Sequence, residues 1–444
     1  MSILVKNPHY KKAMLFCISI CVLTYVKSYF NITFLAYVIL LLLIICILSV
    51  KIECVLSVML FLLPWAGILK VNSSSMTFMT LVLPFVFLRI LISLKSELKI
   101  NHLPLTILIF LVAFSLTSSF FSGNAIGISA FGFFILLSYL LLLQSNKELL
   151  PATKETTYLF NISLILAFAS GTVLQVLPHM REYFKSSHVT GETIVNRFSS
   201  LNYDPNYNAL QILMGISMLM IKISEDRKRN MFDLILLLLL IGIGVLSLSK
   251  MYLLMMIILI FVWIITRWES HFSGLRKAAI MTIMVLVTIY LYDKGILKEQ
   301  INAYAYRLSR VTDMATLTTG RSAIFAEYLN YMLENPNVLL LGSGFTNEAI
   351  LWKASHNTYI QVVFQIGIFG AVLLIIFIAE FINSMKPVGQ NIKLIRFLPL
   401  FTLLLGAGAL DLLLVDEFVY YVIISGIMLS KGYHSDIGLT ELRK

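Results

Sequence analysis

"SHNTYIQVVFQIGIFG", residues Ser355 to Gly370, passes from a polar patch straight into a long apolar segment. About 20 mostly apolar residues suffice to cross the hydrocarbon of a bilayer, and from Thr358 onward the chain supplies such a run. The stretch is therefore read as the mouth and first half of a membrane-spanning helix. Its polar groups are unusually placed. His356 and Asn357 stand at the start, Gln361 and Gln365 lie inside, and Gly367 and Gly370 follow.

The same pattern recurs along the chain. Of 444 residues, 59% are hydrophobic and 13% charged, with a mean hydropathy of +0.89. Soluble domains are roughly 45–50% apolar and about 25% charged. The expected fold class is an all-α polytopic integral membrane protein, one transmembrane domain over residues 1–444. Taking charges, Pro and Gly as punctuation, about 14 spans are expected. They begin near Ala13, Phe30, Cys54, Met76, Leu103, Ala125, Thr157, Tyr207, Met231, Met251, Ala278, Thr358, Phe397 and Phe418. The first and last are short, which sets the range at roughly 12 to 14. Lys11-Lys12 before a short apolar run imitates a secretory signal, but no small-residue cleavage site follows, so the run is read as the first span. Cys17, Cys21, Cys46 and Cys54 fall in or beside the first apolar runs. That placement suits small apolar fillers, and neither a disulfide framework nor a zinc site is expected.

Charge tests the topology. With the N-terminus in the cytoplasm and strict alternation, inner segments collect 22 of the 34 Lys and Arg but 11 of the 23 Asp and Glu. The whole +11 then lies on the inner side, as the positive-inside rule requires. Arg227-Lys228-Arg229 and Arg276-Lys277 carry the bias. The basic balance reflects topology, and no nucleic-acid partner is expected. The C-terminus also falls inside.

Two outer loops are long, residues 178–204 and 293–355, and long loops in a compact protein are usually functional or disordered. These hold aromatics and spaced arginines. In the second, "GRSAIFAEYLNYMLENP" sets Ile324, Phe325, Tyr328, Leu329, Met332 and Leu333 at helical spacing. This predicts an amphipathic helix over 321–334, ended by Asn335-Pro336 and lying along the outer surface or capping a cavity.

The outer face also carries Arg181, Arg197, Arg307, Arg310 and Arg321, against the positive-inside trend. Arginine's planar fork binds phosphate bidentately. The pattern points to a phosphate-bearing ligand outside, with ordinary solvated or salt-bridged loop charge as the plainer reading. In "NRFSSLNYDPNYNALQILMGI", Asp204 is a helix cap and Pro205 the first helical residue. The outward helix start suits an anion, and Arg197 and Asn206 stand beside it. On a continuous helix, Gly367 and Gly370 return to within about 40° of the His356 face. Asn357, Gln361 and Gln365 form a neighbouring stripe. Small residues admit a second helix, and Asn and Gln bond across helices in lipid. His356 differs, being a proton donor or acceptor near neutral pH beside an arginine-rich loop. Asp411, Asp416 and Glu417 flank the last short outer loop and are candidate acid or base groups, but acids are common at such boundaries and no role is assigned to them. No DxD or HExxH pattern marks a catalytic metal, no Walker motif marks an ATP engine, and no cofactor is expected.

These residues resemble the O-antigen polymerase/O-antigen ligase superfamily of bacterial envelope glycosyltransferases. His356-Asn357, nine residues, Gly367, two residues and Gly370 resemble its ligase-type signature. "TGRSAIFAEYLNYMLENPNVLLLGSGF" resembles its Gly-Arg helix, Pro and Gly-x-Gly turn, here Gly342-Ser343-Gly344. "RFSSLNYDPNYNA" resembles its Arg…Asp-Pro-Asn segment. "LSLSKMYLL" resembles its Ser-Arg turn, with Lys250 in place of the arginine's fork. The likeness covers roughly Arg197 to Ala379. It implies a GT-C-like enzyme of the bacterial inner membrane, acting at the periplasmic face on undecaprenyl-pyrophosphate-linked oligosaccharide by metal-independent inversion. Arg197 and Arg321 would bind the pyrophosphate, assisted by Arg307, Arg310, Asn206 and Lys250. His356 would orient or deprotonate the acceptor hydroxyl, or contact the phosphate, with Asn357, Gly367 and Gly370 in support. A chain-length regulator and a flippase of the same pathway are implied as partners. The superfamily divides by acceptor, and the span count and two long loops favour an O-antigen or capsular polysaccharide polymerase over a ligase acting on lipid A core. A non-enzymatic flippase of lipid-linked oligosaccharide stays open as a third reading.

Overall fold

In lipid a backbone must satisfy its own hydrogen bonds, so apolar runs of spanning length become helices. The computed structural model describes residues 8–94, 98–123, 127–184, 188–189, 195–226, 230–267, 293, 298–309, 311–312, 320–345, 354–387 and 392–430. Among them the chain is helical, apart from a two-residue antiparallel pairing of His188–Val189 (β1) with Val195–Asn196 (β2) and an isolated bridge between Lys70 and Thr77. The helices are α1 (Pro8–Phe30), α2 (Phe34–Ser49), α3 (Ile52–Leu62), α4 (Phe78–Leu81), α5 (Leu83–Leu94), α6 (His102–Phe121), α7 (Ile128–Ser145), α8 (Thr153–Leu174) and α9 (Pro205–Glu225). They continue with α10 (Met231–Leu246), α11 (Lys250–Arg267), α12 (Lys298–Ser309), α13 (Arg321–Glu334), α14 (Pro336–Leu341), α15 (Thr358–Met385), α16 (Leu398–Ala407) and α17 (Asp416–Ser430).

Five helices among the described residues, α1, α6, α8, α9 and α15, are long and apolar enough to cross a membrane. Seven shorter apolar stretches accompany them. The expected spans coincide with helices, except that the one beginning near Ala278 lies outside the described residues. The four cysteines are buried and unlinked within α1, α2 and α3.

Most helices show an apolar flank to their surroundings, as Leu15, Phe110, Leu254 and Ile375 do. The centre is α9, which packs against α8, α10, α11 and α16 and is buried on nearly every side. Its polar residues therefore face protein. At one end it starts on the Asp204 cap, whose carboxylate accepts from Asn206 N at 2.8 Å. At its other end Lys222 is fully buried between Asp226, at 2.8 Å, and Asp233, with its ammonium 4.8 Å from the Tyr158 ring centroid. Next to it the Arg396 fork grips Glu225 at 2.6 and 2.8 Å.

Removing one partner of a buried ion pair strands the other charge, at a cost of about 3–5 kcal/mol. Lys222→Ala is therefore expected to destabilise by that order, whereas a Lys222→Met, Asp233→Leu double variant recovers much of the loss. Thermal unfolding in detergent checks this. A single variant as stable as the parent would show that the ammonium is not needed.

Candidate functional site

The site is built at the end of the molecule where α9 begins. Asn357 is the N-cap of α15, its Oδ1 accepting from Tyr359 N at 2.9 Å and Ile360 N at 3.3 Å. The residue before it, His356, is left-handed, at φ 51°. Asp411 holds this turn. Its carboxylate accepts from Ser355 Oγ at 2.5 Å, from His356 N at 2.9 Å and from Asn357 N at 3.2 Å. His356 Nδ1 lies 3.5 Å from the same carboxylate, and the imidazole keeps about a third of its surface open. The Asp411 backbone carbonyl accepts from Tyr207 Oη at 2.7 Å, which joins the turn to the first turn of α9.

Arg321 opens α13 directly after Gly320, which is left-handed at φ 82°. Its Nη1 donates to Ala409 O at 2.5 Å, and Asn357 Nδ2 donates to Gly408 O at 3.3 Å. Arg321 and His356, 35 positions apart in sequence, thus hang on one loop, residues 408–411. The charges facing the Tyr207 hydroxyl are Asp411, Glu417, Asp204 and Arg321.

On the other flank of α9's start, Arg197 donates from Nη2 to Asn206 Oδ1 at 3.0 Å and from Nε to Ser247 O at 3.1 Å. Ser249 Oγ donates to the same Asn206 oxygen at 2.8 Å, and Lys250 begins α11 one residue later. Asn206 Nδ2 donates to Asp204 Oδ1 at 2.8 Å. Arg197 is positioned by a buried loop. Ser199, Ser200, Leu201 and Asn202 are all sunk between α8 and the 65–67 turn, where Gly67 and Gly171 let the backbones meet. On α12, Tyr304 Oη donates to Val245 O at 3.1 Å, so the α12 backbone passes beside the turn that receives Arg197. Arg307 lies on α12, but its side chain is outside the described residues, as is Arg310 altogether.

Gly367 and Gly370 require a correction. On a continuous helix they would line the His356 face, ready for a second helix. Instead α15 breaks at Gly367, at φ 68° and ψ 176°. The break leaves the Phe364 and Gln365 carbonyls without helical donors, and the Gly342-Ser343-Gly344 turn supplies them. Ser343 N donates to Phe364 O at 2.8 Å and Gly344 N to Gln365 O at 3.0 Å. A methyl on Gly367 would overlap the Leu340 carbonyl, and one on Gly342 would overlap the Gln365 carbonyl. Gly370 leaves room for the Ile366 side chain at the bend. Gln361 turns to the loop after α16, its Oε1 accepting from Leu413 N at 3.2 Å.

Reasoning from sequence set Asp411 aside and missed Tyr207 and Ser355. Asp411 had only its place at a loop edge to recommend it, and nothing linear connects it to His356. Asp416 and Glu417 lie beyond, with Thr77 Oγ1 bonded to Asp416. They face Lys70, whose ammonium burial pushes below the usual lysine range and these two acids partly restore.

Compared with family models, curated proteins and solved structures, the chain matches none.

Proposed function

We propose that this protein is a membrane glycosyltransferase that polymerises polyprenyl-pyrophosphate-linked oligosaccharide, in a GT-C-like arrangement with its site at the periplasmic face of a bacterial inner membrane. The observation that carries the reading is the convergence of Arg321 and His356 on the 408–411 loop, beside Arg197 at the start of α9.

The chemistry asks for two things. The acceptor hydroxyl must lose its proton as its oxygen attacks the anomeric carbon. The bond from that carbon to the pyrophosphate oxygen breaks, and negative charge grows on the departing polyprenyl pyrophosphate. Preorganised cations at that charge lower the barrier. Arg321, Arg197 and Lys250 are suited to it; the start of α9 adds no free donor, contrary to the anion site its sequence suggests, because Asn206 N is spent on the Asp204 carboxylate and the first turn is buried. His356 takes the acceptor proton. Asp411 fixes the imidazole through the backbone on both sides of it and faces Nδ1. An acid so placed stabilises the imidazolium that forms as His356 takes the proton.

The test is the surface glycan of a deletion strain, run on a gel beside the parent. Single repeat units on the lipid A core, with the ladder gone, are expected. A bare core with long polymer left on the carrier would replace the polymerase by a ligase. Single units held on the carrier at the cytoplasmic face would replace it by a flippase.

A further inference from the structure

We propose that α13 is an interfacial helix that seats an apolar stripe in the lipid leaflet adjoining the site, and so holds Arg321 at the depth of the headgroups. This rests on α15 being a span and not on the transferase reading.

The helix has three faces. Tyr328 and Met332 are buried against Ile360 and Phe364 at the start of α15, Tyr328 packing edge-on to Phe364 at 5.0 Å between ring centroids. At about 100° per residue, Phe325, Leu329 and Leu333 fall within about 80° of one another on a second face. All three are exposed, Leu333 at 67%. Glu327, Asn330 and Glu334 fall within about 60° on a third face, also exposed. Scattered exposed apolar side chains are normal. An apolar stripe at helical spacing, with the acids and Asn330 on a separate face, is the pattern of a helix lying in a membrane boundary.

Depth and continuity choose lipid as the occupant. Past the break at Gly367, residues 368–385 of α15 extend about 27 Å, nearly the whole of the roughly 30 Å hydrocarbon core. Its first turns, which carry Ile360 and Phe364, therefore fall at the boundary, and α13 lies beside them. Leu340 of α14, whose carbonyl lies against Gly367, is exposed too, as are Phe369 and Val372 of α15. Phe369 packs edge-on to Phe114 at 6.1 Å, which with Phe110, Thr117 and Leu373 lines an apolar groove of about 320 Å³ between α6 and α15. α15 is among the helices apolar enough to span, so its exposed flank is a lipid face and the α13 stripe extends it.

The test uses the full chain in proteoliposomes. Single cysteines at Phe325, Leu329, Leu333 and Glu327 are labelled with an environment-sensitive thiol dye; the four native cysteines are buried. Phospholipids brominated on the acyl chain should quench most of the fluorescence at Leu333→Cys and Phe325→Cys, while aqueous iodide quenches Glu327→Cys. Iodide quenching at all positions would place the stripe in water and overturn the proposal. Dyes on the stripe shielded from both quenchers would mean that protein covers it, a second copy or another chain, and would overturn it equally. Leu329→Cys repeats the reading should either neighbour disturb folding. Because no activity enters the readout, either result leaves the transferase reading where it stood.

Discussion

Membranes carrying Arg321→Ala are expected to contain normal amounts of the protein and to lose polymer synthesis by a factor on the order of 10² to 10³. That is the usual loss when one preorganised donor is removed from the charge that develops in a transition state. Arg321 is half-buried and spends one N–H on the Ala409 carbonyl. Among the described residues the rest of its fork makes no further hydrogen bond, which suits it to a ligand. Arg321→Lys keeps the charge but not the two parallel donors, and Arg-to-Lys changes at bidentate sites are not conservative. It should recover only part of the rate. His356→Gln is more diagnostic still. A glutamine keeps a hydrogen-bond donor but cannot take up a proton. A loss of roughly 10² to 10⁴ is expected if His356 is the base, and Asp411→Asn should follow it, with kcat falling more than KM changes. The amide would offer one acceptor oxygen to three donors. A normal glycan ladder from both Arg321→Ala and His356→Gln would sink the site as drawn.

The second large effect is on the fold. Gly367→Ala and Gly342→Ala should each destabilise by about 2–6 kcal/mol, because two costs fall together. At φ 68°, ψ 176° and φ 85°, ψ 168° both residues occupy backbone space that is essentially glycine's alone, costing about 1–3 kcal/mol for any other residue. The added methyl also runs into a carbonyl of the facing segment, and overpacking of this sort costs about 1–3 kcal/mol more. Gly242→Ala is the control. It sits in α10 with nothing within 4 Å of an added carbon, and alanine there should be neutral or stabilise by up to about 1 kcal/mol. Unfolding temperatures in detergent separate them. A Gly367→Ala protein that melts within about 2 °C of the parent would mean that the break in α15 is not an obligatory feature.

These two effects mark where linear reading succeeds and stops. The helices were legible because each depends on neighbours in sequence. Their periods, caps and breakers lie within a turn or two, and lipid leaves the backbone no other solution. The Asp204 cap and the extent of α13 belong to this group, as does the apolar run of α15. The site was half legible. Arg197, Asn206, Arg321 and His356 stood out as polar groups that no local rule explained, but their partners were invisible. Asp411 lies 55 positions beyond His356. Gly342 meets Gly367 because a turn from one segment supplies N–H donors to carbonyls that a broken helix has released. On a helical wheel that glycine reads as a flat packing face, since a wheel assumes the very continuity the tertiary contact removes. Composition and periodicity thus suffice for an all-helical membrane chain and for its candidate cations. Which carboxylate holds the histidine, and which carbonyl takes one arm of the arginine, was decided only when distant segments met, because a buried hydrogen bond is satisfied by whatever donor three-dimensional packing brings to it.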